Sequence, residues 1–433
     1  MASQGTVNVE ARGLIVWTPE KWAWCTTLVF LFLRYFTLIS SVVLYFSYTA
    51  FMLFFALLSL SRGNDAIKIE NSRLNGALLC LSFSVLIIIA VSPYSKEELV
   101  KFCLLLIDAY ILIGVMGAKE FEKATKVFYW ACNVVVLITF AVYFVKPSFF
   151  SSIEGSYQGL FYSPVFFGVP DNNDTAVVLF LLSCLAFKKG WKLGIVLGCI
   201  YPFLYFGRQY ILMAFLVLAV VAIFFIRSRI AGKCEIKHTA PPRVFYALFA
   251  CSTAALILLA YFWVGYVSLN GASSYKESLN DSSNAIRMNS NVFCFELMIS
   301  NPEFMIYGFD DDVFDELGIS STDYSPEANY LIDGRYRLVQ PHEEVLNMVL
   351  KEGLLFSVFY YVVISQLLSR ITWGRKSKAI LFAYFCGSLF LSGFFRDYRL
   401  LGFLIVAVAS EAPFFTHSSK RVKSKICINL NRE

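Results

Sequence analysis

The run WAWCTTLVFLFLRYFTLISSVVLYFSYTAFMLFFALLSL (residues 22–60) is one apolar stretch, interrupted only by Arg34 and the Ser40-Ser41 pair. About 20 such residues are what a helix needs to cross a bilayer core of about 30 Å. Backbone groups in hydrocarbon must be satisfied internally, which leaves helices or a closed barrel. Runs this long and continuous exclude the barrel. Residues 22–60 therefore read as two spans, or as one span and an interfacial helix. Either way, the expected fold class is an all-α integral membrane protein.

The pattern recurs along the chain. Apolar spans are read at 22–38, 40–60, 76–93, 98–117, 124–145, 174–187, 191–206, 209–227, 244–266, 354–369, 377–394 and 398–415, twelve in all. The connections 61–75, 118–126, 188–192, 228–243 and 370–378 are rich in Lys and Arg, and the alternate ones are poorer. Basic connections remain cytoplasmic, so the charge pattern supports two spans within 22–60 and puts both termini inside. The expected organisation is a membrane domain of about nine spans over 1–266. An outward-facing, periplasmic loop domain with short helices follows over 267–353. Further spans occupy 354–415, and a basic cytoplasmic tail runs over 416–433.

Of the 433 residues, 58% are hydrophobic and 16% charged, which excludes an ordinary soluble domain. Eight of the eleven cysteines lie within apolar runs, where Cys behaves as a small hydrophobe. The segment 267–353 holds only Cys294 and closes no internal disulfide. There is no CxxC pair and no Cys/His cluster with zinc spacing. No metal, cofactor or nucleic-acid partner is expected. Residues 1–21 lack an apolar core followed by small residues, so no cleavable leader is expected.

The long polar segment carries its own signature. Residues 267–352 hold five Lys/Arg against fifteen Asp/Glu, a net of −10 in a chain whose total is +6. Within it, 284–299 reads as a helix with N-caps at 281–283 and a stop at Asn301-Pro302. Tyr307-Gly308 and Asp333-Gly334 read as turns. A second amphipathic helix starts at Pro341, with Glu343-Glu344 in its first turn. Its apolar face (Val345, Leu346, Val349, Leu350) suits a position on the membrane surface, with Gly353 bending the chain into the next span.

A few polar residues ask for a chemical reason. Arg208 stands in a short outward connection, where the charge rule disfavours it. It reads either as a snorkelling side chain or as a phosphate ligand at a helix N-terminus. Arg287 reads as a ligand of the same kind or as a surface ion pair with Asp281 or Glu296. Arg396 and Arg399 flank the last outward connection and read as anchors of it. His342 is the one outward histidine of three; it reads as a general base or as a polar surface residue. Asp108 lies inside an apolar span, where carboxylates mark relays, pathways or buried pairs, and Lys101 is the plain partner. The triplet Asp310-Asp311-Asp312 lacks ligand spacing and reads as a solvated turn.

In its order of parts the chain resembles the bacterial O-antigen polymerase/O-antigen ligase family of membrane glycosyltransferases. The resemblance rests on Tyr205-Phe-Gly-Arg208-Gln-Tyr-Ile-Leu before a span, then Ile286-Arg287, Asn301-Pro302-Glu303-Phe304 and Tyr307-Gly308. It ends with Pro341-His342-Glu343-Glu344-Val345-Leu346, leading to Lys351-Glu352-Gly353-Leu354-Leu355. The segment 155–173 is similar to a weaker landmark of the same family. The family often has Asn after the His, where this chain has Glu343.

The resemblance implies a metal-independent, inverting transferase of the bacterial inner membrane with its site on the periplasmic face. Arg208 and Arg287 would hold the pyrophosphate of an undecaprenyl-linked glycan, and His342 would activate the acceptor hydroxyl. Arg396, Asp108 and Glu343 would be accessory. The partners implied are the lipid-linked glycan donor, a glycan acceptor and the bilayer, alongside a chain-length regulator and a flippase. A polymerase extends one lipid-linked unit with another, whereas a ligase moves the finished glycan to lipid A-core; the residues leave both open. A transporter or flippase is the reading from another class. No internal pseudo-repeat or Gly/Pro-broken pair of spans supports it.

Overall fold

The computed structural model describes residues 17–36, 41–61, 72–92, 97–118, 120–145, 172–204, 208–231, 298–308, 329–332, 335–338, 344–371, 374–389, 394–395 and 397–409, with the single positions 258 and 262. The expected span 244–266 (those two positions apart) and the tail 416–433 lie outside them. The helices are α1 (Pro19–Phe36), α2 (Ser41–Ser61), α3 (Ser72–Val91) and α4 (Glu97–Ala109), which passes into a π-helical turn, Tyr110–Val115. They continue as α5 (Glu122–Val145), α6 (Asn172–Lys189), α7 (Lys192–Leu204), α8 (Arg208–Ala231) and the short α9 (Phe304–Tyr307). After a hairpin of β1 (Asn329–Ile332) and β2 (Arg335–Leu338) come α10 (Glu344–Glu352), α11 (Leu354–Ile371), α12 (Gly374–Ser388) and α13 (Tyr398–Val408).

Residues 22–60 form two helices, α1 and α2, packed on one another through Phe30 and Tyr48, whose rings stack at 4.3 Å. Pro19 and Glu20 suit the first turn of α1: the proline gives up an amide that would be unpaired anyway, and the carboxylate faces the positive end of the helix dipole. Among the described residues, five helices are long and apolar enough to cross a membrane, at 43–61, 74–91, 122–142, 209–226 and 354–371. Polarity along them is inverted relative to a soluble bundle. Phe54, Leu79, Phe83, Phe215 and Leu218 are exposed, whereas Ser84, Asn133 and Thr139 are buried. Such wide apolar exposure suits lipid and not water. The chain is a helical membrane protein.

The centre of the bundle is α6. It is apolar around its circumference, and Val177–Leu182 are at most 1% exposed, as expected of a helix enclosed on all sides. α7, α8, α12 and α13 surround it, and Tyr210 of α8 meets Phe180 of α6 edge-on at 6.1 Å.

Polar contacts sort the two ends of the bundle. At one end Lys189 pairs with Glu120 (2.9 Å), and Lys188 Nζ donates to the carbonyls of Ala407 (3.1 Å) and Ala409. There too Lys376 Nζ donates to Phe187 O (2.9 Å), and Ser377 Oγ to Val408 O (3.1 Å). Trp24 Nε1 also donates to Thr125 Oγ1 (2.9 Å) near the starts of α1 and α5. The connections 118–126, 188–192 and 370–378 thus share one end with the close of α13. The starts of α2, α6, α8, α10 and α13 belong to the other. Helices that the charge pattern orients oppositely run oppositely here.

Two stretches differ from expectation. The helix expected on the membrane surface, α10, is enclosed: Glu344, Asn347 and Met348 are fully buried and only Lys351 is half-exposed. Its apolar stripe is answered by α9 and α11, so it is part of the core. A hairpin also flanks Asp333-Gly334, pairing Ile332 with Arg335 and Asn329 with Leu338. Asp-Gly suits a two-residue hairpin turn, although the turn lies outside the described residues. Of the expected helix 284–299, positions 298–300 are described and helical, and Asn301 ends it.

Candidate functional site

The end of the bundle opposite the lysines holds a buried polar cluster. Asp397 is the N-cap of α13, and its Oδ1 accepts from the amide of Arg399 at 2.7 Å. Arg399 Nε lies 2.9 Å from each oxygen of Asp397, and its Nη2 contacts Asp397 as well as Asp174 of α6, the latter at 2.8 Å. One planar guanidinium therefore ties the start of α13 to the start of α6, a geometry a point charge does not reproduce. Burial alone would push the Asp397 carboxyl up. Arg399, aided by Arg34, outweighs burial and holds it below the ordinary carboxylate range. Arg34 Nε donates to Tyr45 Oη at 3.2 Å and lies over that ring, which joins α1 to α2. Removing one member of such a buried ion set typically costs about 3–5 kcal/mol, because the partner is left buried and uncompensated.

The connection between α12 and α13 is fixed by three bonds to its backbone. Tyr384 Oη donates to Phe394 O, and Tyr360 Oη donates to Phe395 O at 2.6 Å. The amide of Phe395 donates to Glu344 Oε1 at 3.1 Å. Glu344, in the first turn of α10, is fully buried. The rings of Tyr384 and Phe394 pack at 4.6 Å, so the hydroxyls reach these carbonyls from an aromatic wall.

Arg208 is the first residue of α8. In the following turns Tyr210 is buried, its hydroxyl 2.7 Å from Gly198 O and 2.6 Å from Ser183 Oγ. Met213 packs where Gly387 leaves room beside Phe394; a Cβ on that glycine would lie 2.7 Å from the Met213 sulfur. α8 therefore begins at the same end as Glu344 and Asp397. His342 and Glu343 immediately precede Glu344, and Arg396 lies between Phe395 and Asp397. These three and Arg287 are outside the described residues. The Glu344–Phe395 bond nonetheless brings the chain next to His342 against the chain next to Arg396.

Asp108, near the close of α4, is buried, accepts from Thr49 Oγ1 at 2.8 Å, and borders a cavity of about 20 Å³ with Thr27, Tyr48 and Leu401, the last one turn from Asp397. Lys101 is exposed on the same helix.

Sequence reasoning missed Glu344, Asp174, Asp397, Tyr360 and Tyr384 as site-forming residues, and it read Arg399 as an anchor. A signal existed for the charged ones. Asp174, Asp397 and Arg399 each stand within a few residues of a span end on the same side, where an unpaired charge is expensive. No signal marked the tyrosines, which resemble the 24 tyrosines of the chain as a whole. The cluster is able to hold several helix starts and one connection in fixed relation.

No family model matches this chain, and no curated protein or solved structure matches it.

Proposed function

We propose that this chain is an inner-membrane glycosyltransferase that polymerises undecaprenyl-diphosphate-linked oligosaccharide units into a surface polysaccharide. In this reading it crosses the membrane about twelve times, with both termini cytoplasmic and residues 267–353 on the periplasmic face. The observation that carries it is the bond between the Phe395 amide and Glu344. It joins the segment of His342 to the segment of Arg396 at the end of the bundle where Arg208 opens α8. Glu344, Phe395 and the start of α8, neighbours in sequence of those landmarks, support this reading.

The chemistry follows from the residue types. The acceptor hydroxyl attacks the anomeric carbon of the donor while its proton passes to His342. The bond to the pyrophosphate oxygen breaks, and the undecaprenyl diphosphate leaves with the electron pair. Arg208 and Arg287 stabilise the charge that develops there, and in-line attack inverts the anomeric centre.

General-base assistance typically contributes about 10²–10⁴-fold. His342→Ala is therefore expected to abolish polymer in a complementation assay while lipid-linked single units accumulate and protein level stays normal. Near-normal chain length in His342→Gln would overturn the base assignment. Lipid-linked polymer that fails to reach lipid A-core would instead identify a ligase.

A further inference from the structure

We propose that the groove between α1 and α5 binds one anionic phospholipid of the bilayer, with its headgroup at the lysine-bearing end of the bundle. This site lies away from the Glu344 cluster and does not depend on the function proposed above. The groove is a cavity of about 470 Å³ with an almost wholly apolar lining. Ala124 and Ala131 of α5 and Cys25 of α1 form part of its wall, where small side chains leave room between the helices. Val29 and Val127, 57% and 71% exposed, border its open side. On α1 the wall runs from Cys25 to Leu33, a rise of about 12 Å and most of the roughly 15 Å of one hydrocarbon leaflet, with Trp17 at the mouth. An acyl chain of that leaflet fits along it.

The mouth distinguishes this groove from an ordinary lipid-facing furrow. Trp17 stacks on Trp22 with ring centroids 4.4 Å apart and meets Phe121 edge-on at 5.8 Å, an aromatic group of the kind that marks the headgroup level. Lys21 lies 5.6 Å from the centroid of the Phe121 ring, and Lys123 lines the groove itself. Among the described residues, two lysines, Lys21 and Lys123, stand at this rim against one exposed acid, Glu122; Glu120 is engaged by Lys189 and Glu20 is buried. An apolar channel with a cationic mouth is complementary to a negatively charged headgroup on an acyl chain. It has no preference of that kind for a zwitterionic lipid.

The test uses the full-length chain in nanodiscs of mixed phosphatidylcholine and phosphatidylglycerol, released into detergent and weighed by native mass spectrometry. The expected result is one retained phosphatidylglycerol per chain. Each lysine near a headgroup contributes a few-fold, so Lys21→Gln/Lys123→Gln is expected to lower retention by roughly tenfold. Ala131→Trp or, more gently, Ala124→Leu fills the channel and is expected to remove the lipid. Leu79→Trp, on the exposed face of α3, leaves it in place. Equal retention of phosphatidylcholine, persistence of the lipid in both groove-filling variants, or a chain that emerges without lipid or as a groove-to-groove dimer would overturn the proposal.

Discussion

Glu344 would be costly to bury without a partner, and the backbone of another connection supplies one. Its Oε1 receives the Phe395 amide at 3.1 Å in a region with no solvent access to the carboxylate. Truncation leaves that amide buried without its acceptor, a loss of about 1–3 kcal/mol. Glu344→Ala is therefore expected to lower the thermal unfolding midpoint in detergent, measured on purified protein. Glu344→Gln retains an oxygen acceptor at the same reach and is expected to recover most of the loss. Equal destabilisation by both variants would show that the charge, rather than the hydrogen bond, holds the connection. Nothing in the residue pattern around Pro341 pointed to this role, because a glutamate in a first helical turn already has a local explanation in the helix dipole.

At the scale of elements, α9, α10 and α11 are held together by backbone contact, which requires glycine at two positions. Gly308 and Gly353 have φ of 75° and 82°. A Cβ on Gly308 would strike Lys351 O and approach Glu352 N to 2.7 Å; one on Gly353 would strike Ile306 O. Each glycine thus rests against the segment that carries the other. The left-handed backbone alone makes Gly353→Ala unfavourable by about 1–2 kcal/mol, and the collision adds to it. Gly76 within α3 has nothing within 4 Å of an added Cβ. Gly76→Ala is expected to be neutral or to stabilise by about 0.5–1 kcal/mol, the ordinary gain of alanine in a helix. In one detergent the unfolding midpoint should fall for Gly353→Ala and hold or rise for Gly76→Ala, and an equal fall in both would remove the packing explanation. The turns at Tyr307-Gly308 and Gly353 were readable as turns; that they touch was not.

For the whole molecule the decisive quantity is the sidedness of the membrane. Cysteines introduced at Ser274 and Thr322, in a background without reactive native thiols, are expected to react with an impermeant thiol reagent in intact cells with a permeabilised outer membrane. In the wild-type chain Cys234 and Cys427 are expected to react only after lysis. Labelling of the 267–353 segment from the cytoplasm alone would reverse the proposed orientation. Packing groups the helix ends, with the starts of α6 and α13 at the end of Glu344 and the lysines at 188 and 376 at the other, and the labelling assigns each group its side of the membrane.

The amino-acid sequence by itself determined that this chain lives in a membrane, where most of its helices run, and which helix ends belong together. Those properties follow from hydropathy over about 20 residues and from the charge of short connections, both local to the chain. It also singled out position 208 at the start of a helix and the stretch around Gly353 as a bend. Tertiary structure alone decided that α10 is enclosed rather than laid on the surface. It also decided that Arg399 joins Asp174 to Asp397, that Thr49 answers Asp108, and that Phe395 is hung from Glu344. These polar ties join residues 225, 59 and 51 positions apart. An amphipathic stripe looks the same whether lipid, water or a neighbouring helix covers it, so only the packed neighbours distinguish a surface helix from a core one.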